Sequence, residues 1–293
     1  MKVIANPEAP GTAAEGGGQL HKGERRGRSS TAIYTSRIIK AGALIADTLT
    51  LLQQWDPALP TGANLQRFRA SNLFAKATRS RVEDILAIFR RRYVQDPQVV
   101  GALAWWVQHT SDGAALRRVL YFHAALADDL LGAVVTEVLG PRREDGQPGV
   151  SLADVLPALR DWQSEGRMAG AWNEDTLVRV GQGILATLRD FGLLEGVQRK
   201  RFVPFPVPPE AGAYVAFLLR QESPSGWNVL HDHRWRLLLL DVEGVERLLV
   251  DAHREGLLNY QAAGSVVRLD FPATDLGGYV RALVARAPAA LGI

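Results

Sequence analysis

Nine basic side chains carry the chemistry this sequence offers most plainly. Lys76, Arg79 and Arg81 open an amphipathic stretch, and Arg90, Arg91 and Arg92 close it. Arg199, Lys200 and Arg201 form a third cluster. Guanidinium and ammonium groups at this density suit phosphate oxygens, which accept charge-assisted hydrogen bonds from them. Three arginines at the end of a helix also suit its dipole, so a solvated helix face is the competing reading. The charge is unevenly spread. Residues 61–93 hold eight Lys and Arg against two Asp and Glu, whereas residues 94–192 hold eight against thirteen. A net charge of only +3 hides this concentration, which is the footprint expected of a nucleic-acid binder.

Other groupings offer less. His231-Asp232-His233 would place two histidines on one face of a strand, but no third ligand pattern accompanies them. Asp128-Asp129 are adjacent on an expected helix and do not face one another, so they read as helix surface. Gly181-Gln182-Gly183 lies inside a helical stripe and reads as close helix packing, and Trp105-Trp106 reads as core. The phosphate-loop, dinucleotide, nucleophile-elbow and zinc-protease motifs are absent. The chain has no cysteine, which excludes disulfides and thiolate chemistry. No catalytic residue, metal site or cofactor is expected, and the chain reads as a binding protein. No apolar run approaches the roughly 20 residues of a membrane span, and the N-terminus lacks an apolar signal core. A soluble cytoplasmic protein is expected.

The elements that must position these cations are mostly helices. Residues 1–33 are rich in glycine and polar residues without periodicity and read as a disordered leader. Apolar spacing predicts helices over 36–54, from about 62 through Phe68, over 99–109 and over 113–139. Between them, Ser80 and Glu83 form a capping-box pattern, followed by Val82, Ile85, Leu86, Phe89 and Tyr93 at helical spacing. These helices make a basic N-terminal bundle over 34–140. The sequence PRREDGQPG reads as a linker over 141–150. Beyond it, Ser151 and Asp154 suggest a capped start. Asn173 with Glu174 and Asp175 opens a helix that Gly192 stops. A short hairpin follows around Gly196, limited by Pro204 and Pro206, with the third cationic cluster at or beside its tip. The helix, Gly-Leu-Leu, hairpin order recurs with Gly256, Leu257 and Leu258 and a turn at Ala262-Ala263-Gly264. Residues 151–293 therefore read as two winged-helix-like units. The fold class is mainly α with small β-hairpins.

Four blocks in order carry a family resemblance. They are Tyr34-Thr-Ser-Arg-Ile-Ile-Lys-Ala-Gly-Ala-Leu, Asn72-Leu-Phe-Ala-Lys-Ala-Thr-Arg-Ser-Arg-Val, Leu188-Arg-Asp-Phe-Gly-Leu-Leu-Glu-Gly, and Trp235-Arg-Leu-Leu-Leu-Leu-Asp with Ala263-Gly-Ser-Val-Val-Arg-Leu-Asp-Phe. The chain resembles the BrxA family, small components of BREX (bacteriophage exclusion) defence systems. The resemblance implies a mostly helical fold with winged-helix character, N-terminal helices similar to the antitermination factor NusB, and double-stranded DNA binding without known catalysis. Other BREX proteins are further partners it implies. The alternatives are a protein scaffold within the defence complex and RNA binding in the manner of NusB.

Overall fold

The computed structural model describes residues 33–71, 78–110 and 113–286. Helices dominate these residues, with one three-stranded and one two-stranded antiparallel sheet. The fold is mainly α with small hairpins, as expected.

The first two helices are α1 (Ile38–Ala41) and α2 (Ile45–Gln53). The single helix expected over 36–54 is broken where Gly42 and Leu44 take φ of 54° and 51°. After α3 (Thr61–Ala70) comes α4 (Arg79–Tyr93), which begins earlier than its sequence pattern suggests. Thr78, not Ser80, is the cap: its hydroxyl accepts from the Arg81 N–H at 3.3 Å. Glu83 instead pairs with Arg69 at 3.1 Å. The expected inner face is buried at Ile85, Leu86, Phe89 and Tyr93.

Asp96 caps α5 (Pro97–His109), with Pro97 in the first turn where its missing N–H costs nothing. The long helix expected over 113–139 divides into α6 (Gly113–Ala127), α7 (Asp129–Ala133) and a π-helical turn, Val134–Leu139. Asp128 causes the division. It is buried rather than on the surface, and its carboxylate caps α7 by accepting from the Leu131 N–H at 3.3 Å.

Residues 141–150 are not a plain linker. They form most of α8 (Gly140–Glu144) and end in β1 (Gly149–Val150). Then come α9 (Leu152–Ser164), α10 (Glu174–Asp190), β2 (Leu194–Glu195) and β3 (Lys200–Phe202). β3 lies between β1 and β2, antiparallel to both. Only glycine fits at 149, where a Cβ would lie 2.0 Å from the Lys200 carbonyl oxygen. α10 follows its sequence signals closely. Asn173 accepts from the Thr176 N–H at 2.8 Å, and Gly192 turns the chain away at φ 82°. Gly181 and Gly183 admit close neighbours, Leu152 and the Ile38 backbone, as expected of packing glycines.

The remaining elements are α11 (Pro209–Glu222), α12 (Gly226–Leu230), a 3-10 turn (His233–Leu238), α13 (Val242–Arg254), β4 (Asn259–Ala263), β5 (Val266–Asp270) and α14 (Leu276–Arg286). The second hairpin forms as expected, although Ala262 and Ala263 pair within it and the turn falls at Gly264 and Ser265.

A separate bundle over 34–140 and a C-terminal region over 151–293 do not emerge as distinct bodies. The described residues cluster as one compact unit. α1 packs on α10, α11 on α6 and α14 on α5. The Trp106 and Tyr214 rings meet at 5.9 Å, and Tyr121 and Phe191 at 5.4 Å. Helices on one side of residues 141–150 thus cover apolar faces on the other side, which merges the two expected domains.

Candidate nucleic-acid interface

Consecutive residues on a helix point about 100° apart, so Arg90, Arg91 and Arg92 cannot share one environment on an amphipathic helix. Arg90 is exposed. Arg91 is 21% exposed and donates through Nη2 to the Asp128 carboxylate at 3.2 Å, an oxygen acceptor itself only 3% exposed. Arg92 is buried at 3% exposure, which removes it from any surface contact. Its Nη1 donates to the Ala43 carbonyl at 3.1 Å and its Nη2 to the Gly42 carbonyl at 2.9 Å. The side chain therefore holds the break between α1 and α2. Burial pushes its pKa down, against the raising influence of Tyr93 and Asp128.

The other end of α4 contributes less. Arg79 is exposed at the first helical position. Arg81 donates through Nη1 to the Lys40 carbonyl at 2.9 Å, tying α4 to α1. Lys76 lies outside the described residues.

α1 packs on both α4 and α10, and the three line a groove of about 830 Å³. Its cations are Arg37, Lys40, Arg90, Arg91 and Arg179, and its one carboxylate is Asp84. Lys40 reaches Asp84 only at 3.8 Å, and both are accessible enough for water to weaken the pair. Arg37, Arg90 and Arg179 are exposed and have no ion pair among the described residues. Ile39 and Ile88 line the same groove. Three uncommitted guanidinium groups over an apolar floor make an anion-attracting trough.

The first hairpin supplies a second cationic edge. Arg199 is exposed. Arg201 is exposed too, but pairs with Glu195 at 2.9 Å across the β2–β3 ladder. Lys200 is buried, contrary to the expected basic tip. Its Nζ donates to the Val197 carbonyl at 2.9 Å and the Gly196 carbonyl at 3.4 Å, so it closes the loop. Burial pushes its pKa down as well.

The sequence clusters thus point to Arg90, Arg91 and Arg199, while Arg92 and Lys200 are internal. Arg37 and Lys40, three residues apart, and the lone Arg179 went unnoticed because none belongs to a run of adjacent cations. Arg179 had a usable signal, since it lies opposite the buried stripe of Leu177, Val180 and Ile184. The sequence model of the BrxA family matches residues 32–217, which span every element of the groove and the first hairpin. The chain belongs to the BrxA family. Membership makes it a component of a BREX phage-defence system. No curated protein matches the chain. α12, α13 and the second hairpin lie beyond the matched stretch of this BrxA-family chain.

Other chemistry is weakly supported among the described residues. The Asp232 carboxylate is engaged by Arg234 at 2.9 Å, and His231 Nδ1 lies 2.9 Å from the Trp227 carbonyl. No group of three His, Asp or Glu side chains there is arranged to hold a metal ion. No single described helix is long and apolar enough to cross a membrane; a bent pair, Gly113–Ala127 with Asp129–Glu144, passes by length and composition but belongs largely to the buried core.

Proposed function

We propose that this BrxA-family chain is a non-enzymatic, cytoplasmic protein that binds double-stranded DNA through its phosphates. The observation that carries the reading is the groove of α1, α4 and α10, where Arg37, Arg90 and Arg179 have no ion pair among the described residues and Lys40 is only loosely held by Asp84. The order β1, α9, α10, β2, β3, with β3 central, supports a winged-helix unit whose hairpin adds Arg199 and Arg201 as a second contact. Phosphate contact releases counterions, so affinity falls with salt. If about four phosphates are neutralised, log K against log salt has a slope of roughly −3.6. Fluorescence anisotropy with a random-sequence duplex at two salt concentrations measures it. Arg37→Glu with Arg90→Glu should weaken binding at least ~10-fold while the protein stays folded. A flat salt response overturns the reading. RNA binding in the manner of NusB predicts that an RNA duplex of equal length competes better than the DNA.

A second reading, docking to another defence protein, draws on α13. Its exposed positions carry Glu243, Glu246 and Asp251, and its two arginines are already paired, Arg247 with Glu243 at 2.5 Å and Arg254 with Asp251 at 3.2 Å. That face carries three carboxylates against two arginines, a balance that suits a basic protein surface better than a phosphate. Retention of a BREX partner after nuclease treatment, lost in Glu243→Lys with Asp251→Lys, is the result this reading requires.

A further inference from the structure

α10 buries Leu177, Val180, Ile184, Leu185 and Leu188. Its opposite face has the same period. Asp175, Arg179, Gln182 and Arg189 are exposed there, with Ala186 half-exposed among them. At about 100° per residue these five positions fall within a stripe about 80° wide. The residue types on it are those that read base edges. Arg pairs with guanine O6 and N7, Gln with adenine N6 and N7, Asp accepts from cytosine N4, and an alanine methyl meets the thymine methyl.

Three observations favour base edges over phosphates for this stripe. Asp175, Arg179 and Gln182 have no hydrogen bond or ion pair among the described residues, so their polar atoms are uncommitted. Asp175 is an exposed carboxylate beside a cationic groove. It would repel a phosphate there, but it matches a cytosine amino group. The stripe also adjoins the cationic groove. Arg179 borders the space that Arg37 and Arg90 line, while Arg189 at the other end is paired with Asp190 at 2.7 Å beside the hairpin. Arg179 and Arg189 are about 15 Å apart along the helix axis at 1.5 Å per residue. A helix about 10–12 Å across fits a major groove about 12 Å wide.

We infer that α10 is a base-reading helix: it enters the major groove of duplex DNA, Arg179 contacting guanine and Gln182 adenine, while the groove and the hairpin hold the flanking phosphates. This rests on the DNA-binding reading and adds sequence selectivity to it. Repeated selection from a pool of random duplexes, followed by sequencing, tests it with the full chain. The wild type should enrich a short motif containing guanine. Arg179→Ala should lose the guanine preference by roughly 10-fold, and Gln182→Ala the adenine preference at another position by roughly 5-fold, since a bidentate base contact discriminates on about that scale. Arg90→Ala should weaken binding to all sequences alike and keep the motif. Circular dichroism of each variant confirms the fold, which these exposed positions do not support. Salt-sensitive binding with no enriched motif, or a motif that survives both α10 substitutions, overturns the inference and leaves the phosphate reading standing. A folded wild type that binds no duplex overturns both.

Discussion

Arg90, Arg91 and Arg92 are the same side chain three times, and their surroundings give each a separate role. Arg92 satisfies two carbonyls at a turn where Gly42 and Leu44 sit in the left-handed region. Its replacement by alanine leaves buried acceptors and a void, and should cost about 2–4 kcal/mol in urea denaturation. Arg90→Ala should change stability by less than about 0.5 kcal/mol while weakening DNA binding. Reversing all three charges together would put a carboxylate against the Gly42 and Ala43 carbonyls, so loss of binding would then report loss of structure. His123 is a second buried group with a measurable consequence. It lies 2.8 Å from the Tyr214 hydroxyl, and burial pushes its pKa down to about 4 from the ordinary 6.5. Between those values the unfolded chain binds a proton that the folded chain refuses. Stability is therefore fully present above pH ~6.5 and falls as pH drops toward ~4, by an amount approaching about 3 kcal/mol. His123→Gln, compared with the wild type by thermal melts across that window, should show a shallower decline.

Among the elements, β1 links the first hairpin to the body of the protein. Gly149→Val would force a side chain onto the Lys200 carbonyl, breaking the β1–β3 pairing. The expected outcome is a loss of about 1–3 kcal/mol and faster amide exchange in β3, read by hydrogen-exchange mass spectrometry. How far each element could be read from the sequence depends on where its determinants lie. α10 was legible because its cap, its stripe and its glycine stop are all local. The α1–α2 break was not, because the group that holds it, Arg92, stands fifty residues downstream of Gly42. β1 was hidden for the same reason. Two residues at the end of a proline- and glycine-rich stretch become a strand only because β3 meets them. The candidate site divides in the same way. Arg90 and Arg199 stood out by clustering, whereas Arg37 and Arg179 join Arg90 only through packing of α1 on α4 and α10. Lys200 looked like part of a basic tip, but the hairpin's own carbonyls draw it inward.

At the scale of the whole molecule, the family-matched stretch ends at Phe217, inside α11, but the apolar packing does not. α14 lies against α5, and Phe217 itself stacks on Tyr279 at 4.5 Å. A chain cut after residue 217 would expose the face of α5 that α14 covers. Such a fragment should aggregate, or melt far below the full chain, in a side-by-side thermal scan. The same closure constrains synthesis. The ribosome releases α5 long before α14 exists, and at about 5–20 residues per second the gap lasts roughly 10–30 s. Throughout that interval a helix carrying Val99, Leu103 and Trp106 lacks its final cover. The nascent protein must therefore keep that apolar face from misassociating until its last helix has been made.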